Sequence, residues 1–219
     1  MNPTQLLDGF AGTDSSAVSD ALDRLSLTPG CGGIRPVHGH PTIVGFAVTV
    51  ALEPHDGRAA GAHIGTAAVE RADDSSVIVV DNGGRTDVSS WGGILSLGAV
   101  TRGVRGVIVH GAVRDAGEAR ELGFPVYARA TTPRTARGRL QMRQDTGPVS
   151  LGEATVAEGD VVLADETGVV VVPRARAEEV LALAQAIVAG EQAIGAEVRA
   201  GTAISRAMHD ARLAALGDK

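Results

Sequence analysis

Residues 91–127 read WGGILSLGAVTRGVRGVIVHGAVRDAGEARELGFPVY, and this stretch carries the clearest fold signal in the chain. A glycine pair opens an apolar segment that is predicted to be helical, and the β-branched run over 104–109 is predicted to be a strand. A second short helix is predicted over 116–122, followed by an extended segment over 126–128. Because strands alternate with helices here, the stretch favours crossover connections and a partly parallel sheet, which is an α/β fold.

The rest of the chain continues this pattern in both directions. We expect one domain over residues 1–219, with a core from about 13 to 173, a mixed central sheet and helices at both ends. The C-terminal helix, over 174–199, is predicted to be long and amphipathic. The other predicted elements are a helix over 15–25, strands over 42–52 and 76–80, a short helix over 62–72, a β segment over 149–156, and a hairpin that pairs 161–164 with 169–172.

The composition argues against several classes of protein. Hydrophobic residues make up 44% of the chain but aromatic residues only 2%, so the core must be built from Val, Ala, Leu and Ile. The net charge is −6 with no block of Lys or Arg, so nucleic-acid binding is not expected. No segment reaches the ~18 apolar residues of a membrane span, and the N-terminus lacks the basic start of a targeting signal, so a cytoplasmic protein is expected. The single cysteine, Cys31, lies between glycines and is interpreted as part of a turn rather than as a reactive thiol.

Two features of the 91–127 stretch could carry chemistry. The pair Gly92–Gly93 removes side chains where a helix begins, so the first backbone amides of that helix could approach a carboxylate or phosphate. Arg114 presents a planar fork to a carboxylate or keto oxygen, and Asp115 offers hard oxygen atoms to Mg²⁺ or Mn²⁺. Glu118 would share a helix face with Asp115. Taken alone, the Arg-Asp-Glu triplet is more typical of a solvated surface cluster.

Other familiar catalytic patterns do not occur in the sequence. It contains no GxGxxG, no Walker-type GKS/T, no HExxH and no GxSxG motif. His38 and His40 stand two apart, and His55 and His63 are scattered, but none has a carboxylate at metal-ligand spacing. These histidines are interpreted as ordinary surface or core residues.

The spacing of the triplet resembles that of a known family. Gly93, twenty intervening residues, Arg114-Asp115, two more residues and then Glu118 resemble the signature of the 4-hydroxy-4-methyl-2-oxoglutarate aldolases. The resemblance extends from about residue 13 to 200 and includes the segments TDSS at 13–16, SDAL at 19–22, IRPV at 34–37 and ADETGVVVVP at 164–173. It implies a single domain of the swivelling β/β/α type. It also implies a class II aldolase that releases pyruvate from a 4-hydroxy-2-oxo acid and decarboxylates oxaloacetate.

The resemblance also implies a role for each residue of the signature. Asp115 is expected to be the direct protein ligand of Mg²⁺ or Mn²⁺, and Glu118 to support the water shell of the metal. Arg114 is expected to bind the keto oxygen of the substrate and to stabilise the enolate. The carboxylate of the 2-oxo acid is expected to be held by the backbone amides of Gly93, Ile94 and Leu95.

A lysine-dependent mechanism is not expected, because the only lysine of the chain is Lys219 at its end. The family forms trimers, sometimes stacked as hexamers, with active sites between subunits, so a homo-oligomer is expected. A carboxylate from a neighbouring subunit would then reach the metal waters, and Glu191 is the candidate, although an ordinary solvated glutamate is the simpler interpretation of that position.

Two departures from the family pattern leave the half of the substrate other than the pyruvyl group unidentified. His110 stands where the family often carries an acidic or amide residue, and it could shuttle protons or be structural. The segment 53–70 lacks the Gly-Asp-Asn pattern of the better characterised aldolases. Asp81, Asn82 and Asp87 lie near the expected site, but a turn explains the DNGG run without chemistry.

Two alternative functions are weighed against the aldolase. The same fold is shared by the regulator of ribonuclease E activity A, which binds and inhibits an RNA-processing enzyme without catalysis. Proteins of that regulatory type depart from the signature at the acidic position that Glu118 occupies here, which favours the enzyme. The methyltransferase label that such sequences sometimes carry has no support in a glycine-rich cofactor loop.

Overall fold

Helices and strands alternate through the middle of the chain, as the 91–127 stretch predicts. The computed structural model describes residues 1–57, 63–144 and 146–208. In order, the elements are α1 (Pro3–Ala11), α2 (Ser15–Arg24), β1 (Arg35–Pro36), β2 (Ile43–Pro54), α3 (Thr66–Arg71), β3 (Ser76–Asp81), α4 (Gly93–Thr101), β4 (Gly106–Val113), α5 (Ala116–Glu121), β5 (Val126–Thr131), β6 (Leu140–Gln144), β7 (Val149–Leu151), β8 (Ala154–Val156), β9 (Val161–Ala164), β10 (Val169–Val172), a 3₁₀ turn (Arg174–Arg176), α6 (Ala177–Arg199) and α7 (Ile204–Ala207).

The sheet is mixed, with a parallel centre. Strands β2, β3, β4 and β5 pair in parallel, whereas β9, β10, β1 and β6 add antiparallel neighbours. The segment 31–36 pairs with both edges, because Cys31 bridges to Val169 of β10 while Arg35–Pro36 pair with β5. The sheet is therefore nearly closed, and the predicted mixed α/β architecture with flanking helices is confirmed.

Alternation along the strands divides the apolar side chains into three layers. In β3, Ile78 and Val80 pack under α3, α4 and α5, whereas Val77 and Val79 point to the opposite side of the sheet. That opposite side is the interior of the curved sheet, and it is filled by β7 and β8. A third layer lies between β9, β10 and the helices α1, α2 and α6. The long predicted C-terminal helix therefore stabilises the side of the molecule away from α4 and α5.

Helix α1 and strand β4 are among the elements that differ from the sequence-based expectation. Helix α1 was not predicted, although Asn2 and Gln5 form a capping box around Pro3 and the helix buries Phe10. Strand β4 does not end at 109. It continues to Val113 through an irregularity after Val109. The extension places Arg114 at the very end of the strand, beside the start of α4.

The length and hydropathy of the described helices were compared with those of a membrane-spanning helix. Within residues 1–57, 63–144 and 146–208, no helix combines the length and apolar content needed to cross a bilayer. Part of one prediction, residue 62 of the helix expected over 62–72, lies outside the described residues.

Candidate active site

The candidate site forms where α4 and α5 begin side by side. The amide of Arg114 donates to the carbonyl of Trp91 over 3.0 Å, which ties the end of β4 to the residue before the glycine pair. The amide of Gly93 donates to Asp115 Oδ2 over 3.0 Å. These two hydrogen bonds bring together the parts of the signature that are twenty residues apart in sequence.

The glycine pair leaves room for the close approach of two carboxylates. A Cβ at Gly92 would lie 2.8 Å from Asp115 Oδ2, and a Cβ at Gly93 would overlap the carboxylate of Glu118. Any side chain here would displace one of the acids. Gly92 and Gly93 therefore form a cradle against which Asp115 and Glu118 converge.

Asp115 is held in an unusual way. Its backbone φ is 57°, a left-handed conformation that aspartate tolerates better than most residues. Its Oδ2 accepts from Gly93 and lies 3.2 Å from Arg114 Nε, while Oδ1 has no partner among the described residues. Because the side chain is 30% exposed, this second oxygen remains available to an external cation.

Of the first backbone amides of α4, one is hydrogen-bonded within the chain and two are not. Gly93 gives its amide to Asp115, so the predicted substrate-binding set of Gly93, Ile94 and Leu95 is already partly engaged. No described acceptor lies at the amides of Ile94 and Leu95, which head the helix. These two donors are free to meet an anion.

A cavity of about 850 Å³ opens beside these groups. Arg114, Gly93 and Ile94 line it on one side. Leu140 and Met142 of β6 line it on another side. Sequence reasoning missed β6, although residues 140–143 read LQMR and alternate apolar with polar as a half-buried strand does.

His110 lies on the other side of the sheet from this cavity. Its Nδ1 is 3.6 Å from Asp81 Oδ1, which is too long for a hydrogen bond. Burial by itself would raise the pKa of Asp81, but His110 and the amides of Gly83 and Ser150 lower it below its usual range. The structure therefore places His110 next to Asp81, and no contact between His110 and Asp115 is found among the described residues.

Among the described residues, none of the other predicted residues contacts Asp115 within one chain. Glu191 is exposed on α6, which packs against α1 and α2. Asp87 forms an exposed ion pair with Arg134, 3.3 Å from carboxylate to guanidinium. Cys31 is buried, and this burial raises the pKa of its thiol to about 11, in agreement with an unreactive role.

The metal-binding capacity of the site rests on few protein ligands. Among the described residues, no three His, Cys, Asp or Glu side chains cluster as a metal cage. A divalent cation that keeps most of its waters needs only one or two carboxylates. Asp115, with a free oxygen, and Glu118, beside the same glycine pair, fit that kind of cation.

Comparison with known proteins assigns this arrangement to a family. The RraA-like family model, described as Aldolase/RraA, matches residues 15–171. The chain belongs to the RraA-like family. The match contains the glycine pair, Arg114, Asp115 and Glu118.

Relatives of the family carry different names. The chain is 30% identical to Protein DlpA of Legionella pneumophila over 94% of its own length, but it spans only 33% of that longer protein. It is 31% identical to a putative 4-hydroxy-4-methyl-2-oxoglutarate aldolase of Halalkalibacterium halodurans, covering 84% of each chain. The crystal structure of Streptomyces coelicolor RraAS2, an unusual member of the RNase ES inhibitor RraA family, is similar with a TM-score of 0.81 at 26% identity, covering 89% of this chain and 98% of that one. Members of one fold thus bear both enzyme and inhibitor names.

Proposed function

We propose that this protein is a divalent-metal-dependent aldolase that cleaves a 4-hydroxy-2-oxo acid to pyruvate, with decarboxylation of oxaloacetate as a related activity. One observation carries the proposal: Arg114, Asp115 and Glu118 converge on the Gly92–Gly93 cradle beside a cavity. A surface cluster of solvated charges would not require two glycines to make room for its carboxylates. The putative aldolase of Halalkalibacterium halodurans supports the same reaction class.

Asp115 is the residue that would hold Mg²⁺ or Mn²⁺, through its free Oδ1, and Glu118 would hold waters around the ion. When bound, such an ion supplies Lewis acidity toward the C2 carbonyl of a 2-oxo acid. Asp115 is fixed for this role by the Gly93 amide and by Arg114, so its geometry is set before any ligand arrives.

Arg114 and the head of α4 would bind the pyruvyl half of the substrate. The Arg114 guanidinium meets Asp115 through Nε, which leaves its Nη atoms free to hydrogen-bond the keto oxygen. As the bond between C3 and C4 breaks, negative charge grows on that oxygen, and the guanidinium stabilises it. The amides of Ile94 and Leu95 would hold the carboxylate at the positive end of the helix.

Proton transfer needs a group that is not a lysine, because residues 1–218 contain none. An imine mechanism is therefore excluded for that part of the chain. Glu118 lies against Gly93 and is placed to hold a water that carries the proton leaving the C4 hydroxyl.

The proposal includes a homo-oligomer, a trimer or hexamer, with sites between subunits. Helix α4 supports this, because Ile94, Leu97 and Val100 present an exposed apolar stripe next to the site. In that assembly Glu191 of a neighbouring copy is the proposed carboxylate near the metal waters. Light scattering gives the mass, and Glu191→Gln tests the contribution.

The alternative, a non-catalytic regulator that binds a ribonuclease, draws on the likeness to RraAS2. Regulation of a ribonuclease by binding requires a docking surface, but it does not require Arg114 to pair with Asp115. A pull-down with a ribonuclease E-type enzyme, together with an assay of RNA cleavage, distinguishes it from the aldolase.

The deciding experiment measures pyruvate release from 4-hydroxy-4-methyl-2-oxoglutarate and from oxaloacetate, with Mg²⁺ or Mn²⁺ and with a chelator. Asp115→Asn is the informative variant, because asparagine tolerates the left-handed backbone and can still accept from Gly93. We expect metal-dependent turnover that this variant loses. Absence of turnover by a folded oligomer that binds a ribonuclease would establish the regulator instead.

A further inference from the structure

The carboxyl end of the parallel strands carries charged side chains that the proposed aldolase reaction does not use. Asp81 of β3, His110 of β4 and Arg129 of β5 each follow a residue of the buried interior layer by two positions, so alternation places all three on the interior face of the sheet. Asp81 and His110 are partners in register. The carboxyl ends of parallel strands are a common place for ligands.

A turn with two consecutive glycines brings basic groups together at this end of the sheet. Gly83 and Gly84 follow β3 and have left-handed φ angles of 60° and 70°. A Cβ on Gly84 would lie 2.9 Å from Arg129 Nη1 and 3.2 Å from His110 Nε2, so both groups border the same point. A Cβ on Gly83 would lie 3.0 Å from Arg85 Nη1. Three nitrogen-bearing side chains therefore converge on the two glycines.

The carboxylate closest to this turn is occupied by other groups. Asp81 Oδ1 accepts from the amide of Gly83 over 2.8 Å, and Oδ2 accepts from the amide of Ser150 over 3.1 Å. Arg143 Nη2 lies 3.7 Å from the same Oδ2. Within the part of the chain that the structure describes, the guanidinium of Arg129 has neither a hydrogen bond nor an ion pair. Its charge is therefore not balanced by Asp81.

The other two basic side chains also keep unused donors. Arg85 donates from Nη1 to the carbonyl of Asn82 over 3.0 Å, and no described acid pairs with it. His110 Nδ1 is buried without a hydrogen-bond partner, which costs free energy. A protonated ring that donates to an anion through Nε2 and to Asp81 through Nδ1 would satisfy both nitrogen atoms.

We propose that Arg129, His110 and Arg85, together with the Gly83–Gly84 turn, form an anion-binding site for the carboxylate or phosphate group of a small molecule. A guanidinium presents a planar fork that matches the oxygens of either group. The site is open to solvent, because Arg129 and Gly83 are exposed. A cation is a poor ligand here, since two unpaired arginines would repel it.

This anion-binding site is separate from the candidate active site. His110 and Arg129 lie on the interior face of the sheet, whereas α4 packs on the opposite face. The exposed apolar stripe assigned to the proposed oligomer belongs to α4. Binding at the glycine turn therefore does not depend on the aldolase function proposed above, and it is measured without turnover.

Calorimetric titration of the natural protein tests the site with two probes, sulfate and malonate. Sulfate represents the tetrahedral oxyanion of a phosphate group, and malonate represents a carboxylate. Both are titrated without divalent metal and at constant ionic strength, with chloride as the reference anion, because unspecific attraction is screened by salt. We expect saturable binding, and the anion that binds more tightly identifies the chemical source of the ligand.

Three variants assign the binding to the glycine turn. Arg129→Gln removes charge-assisted hydrogen bonds and should weaken binding of the preferred anion at least about tenfold. Arg129→Lys keeps the charge but loses the fork, so its affinity should fall between the two. Arg24→Gln is the matched control: it removes the same charge from the last turn of α2, away from the glycine turn, and should leave the affinity unchanged.

A further variant, Arg114→Gln, distinguishes this site from the candidate active site. We expect the preferred anion to remain bound to Arg114→Gln, and urea denaturation shows that each variant is folded. Binding that is lost in Arg114→Gln and kept in Arg129→Gln would overturn the inference and assign the anion to the candidate active site. Equal weakening by Arg24→Gln and Arg129→Gln would also overturn it, as would the absence of saturable binding of either anion.

Discussion

Asp115 and Asp165 both lie just past the end of a strand, yet their surroundings differ. Asp165 is buried and accepts from the amide and hydroxyl of Ser15 and from the amides of Thr167 and Gly168. Asp115 uses one oxygen and leaves the other without a partner among the described residues, next to Arg114 and Gly93, which line a cavity. A carboxylate whose oxygens are all engaged stabilises a fold, whereas one with a free oxygen can bind a ligand. Substituting each residue in the same way tests that difference.

Asp115→Asn is expected to have the largest effect. Loss of the charged oxygen should lower metal-dependent pyruvate release at least about 100-fold, since even indirect partners of a metal site account for tenfold or more. The free energy of unfolding should change by less than about 1 kcal/mol, because the residue is a third exposed and the Gly93 contact survives. Assay of pyruvate and urea denaturation measure the two quantities. A variant that unfolds readily would contradict the comparison.

Gly93→Ala should affect activity next most strongly. The new methyl group would displace the Glu118 carboxylate, which is the end of an exposed and flexible side chain, so the fold should tolerate it. We expect pyruvate release to fall about 10- to 100-fold with little change in stability. Gly32→Ala is the matched control, because a Cβ there meets nothing within 4 Å, and it should leave activity unchanged.

Asp165→Asn should have the opposite signature to Asp115→Asn. An amide cannot accept all four hydrogen bonds, so unfolding should become easier by about 2 kcal/mol while activity per folded molecule is kept. Urea denaturation and pyruvate release, normalised to folded protein, are the measurements. Lost activity in a fully folded variant would argue that Asp165 belongs to the site.

The comparison of the natural protein with Asp165→Asn also predicts how stability depends on pH. Burial by itself would raise the pKa of Asp165, but its hydrogen bonds lower it below the usual range. A lowered folded-state pKa contributes stability above the unfolded value of about 3.9 and loses it as pH falls through the folded value. The stability difference between the natural protein and Asp165→Asn should therefore be full at pH 7 and shrink below about pH 4.

Ser15→Ala should have the smallest effect. It removes one of the four donors to Asp165 and keeps the backbone amide of residue 15, so it should cost about 1 kcal/mol of stability. Thermal or urea denaturation measures it. Combined with Asp165→Asn, the two costs should not add, because they remove the same hydrogen bond.

The sequence predicted the fold more fully than the site. Period-two and helical patterns located α2, β2, β3, α4 and the β9–β10 hairpin, because those segments are regular and apolar on their buried sides. The short strand β6 and the helix α1 were missed, since their patterns are brief and polar residues surround them. The chemistry of Arg114, Asp115 and Glu118 singled them out in the sequence, and only their spacing from Gly93 favoured a site over a solvated surface cluster.

By itself, the sequence determined the mixed α/β fold and the family, because alternating apolar patterns and the Gly93 to Glu118 spacing are properties of the chain's order. It also determined that no lysine before position 219 could form an imine. Tertiary structure decided which carboxylates are available. Asp115, Asp165 and Asp81 are chemically alike. Only the folded backbone shows that hydrogen-bond donors surround Asp165 and Asp81 and leave one oxygen of Asp115 without a described partner. Those donors come from distant segments, and local sequence cannot show how such segments meet.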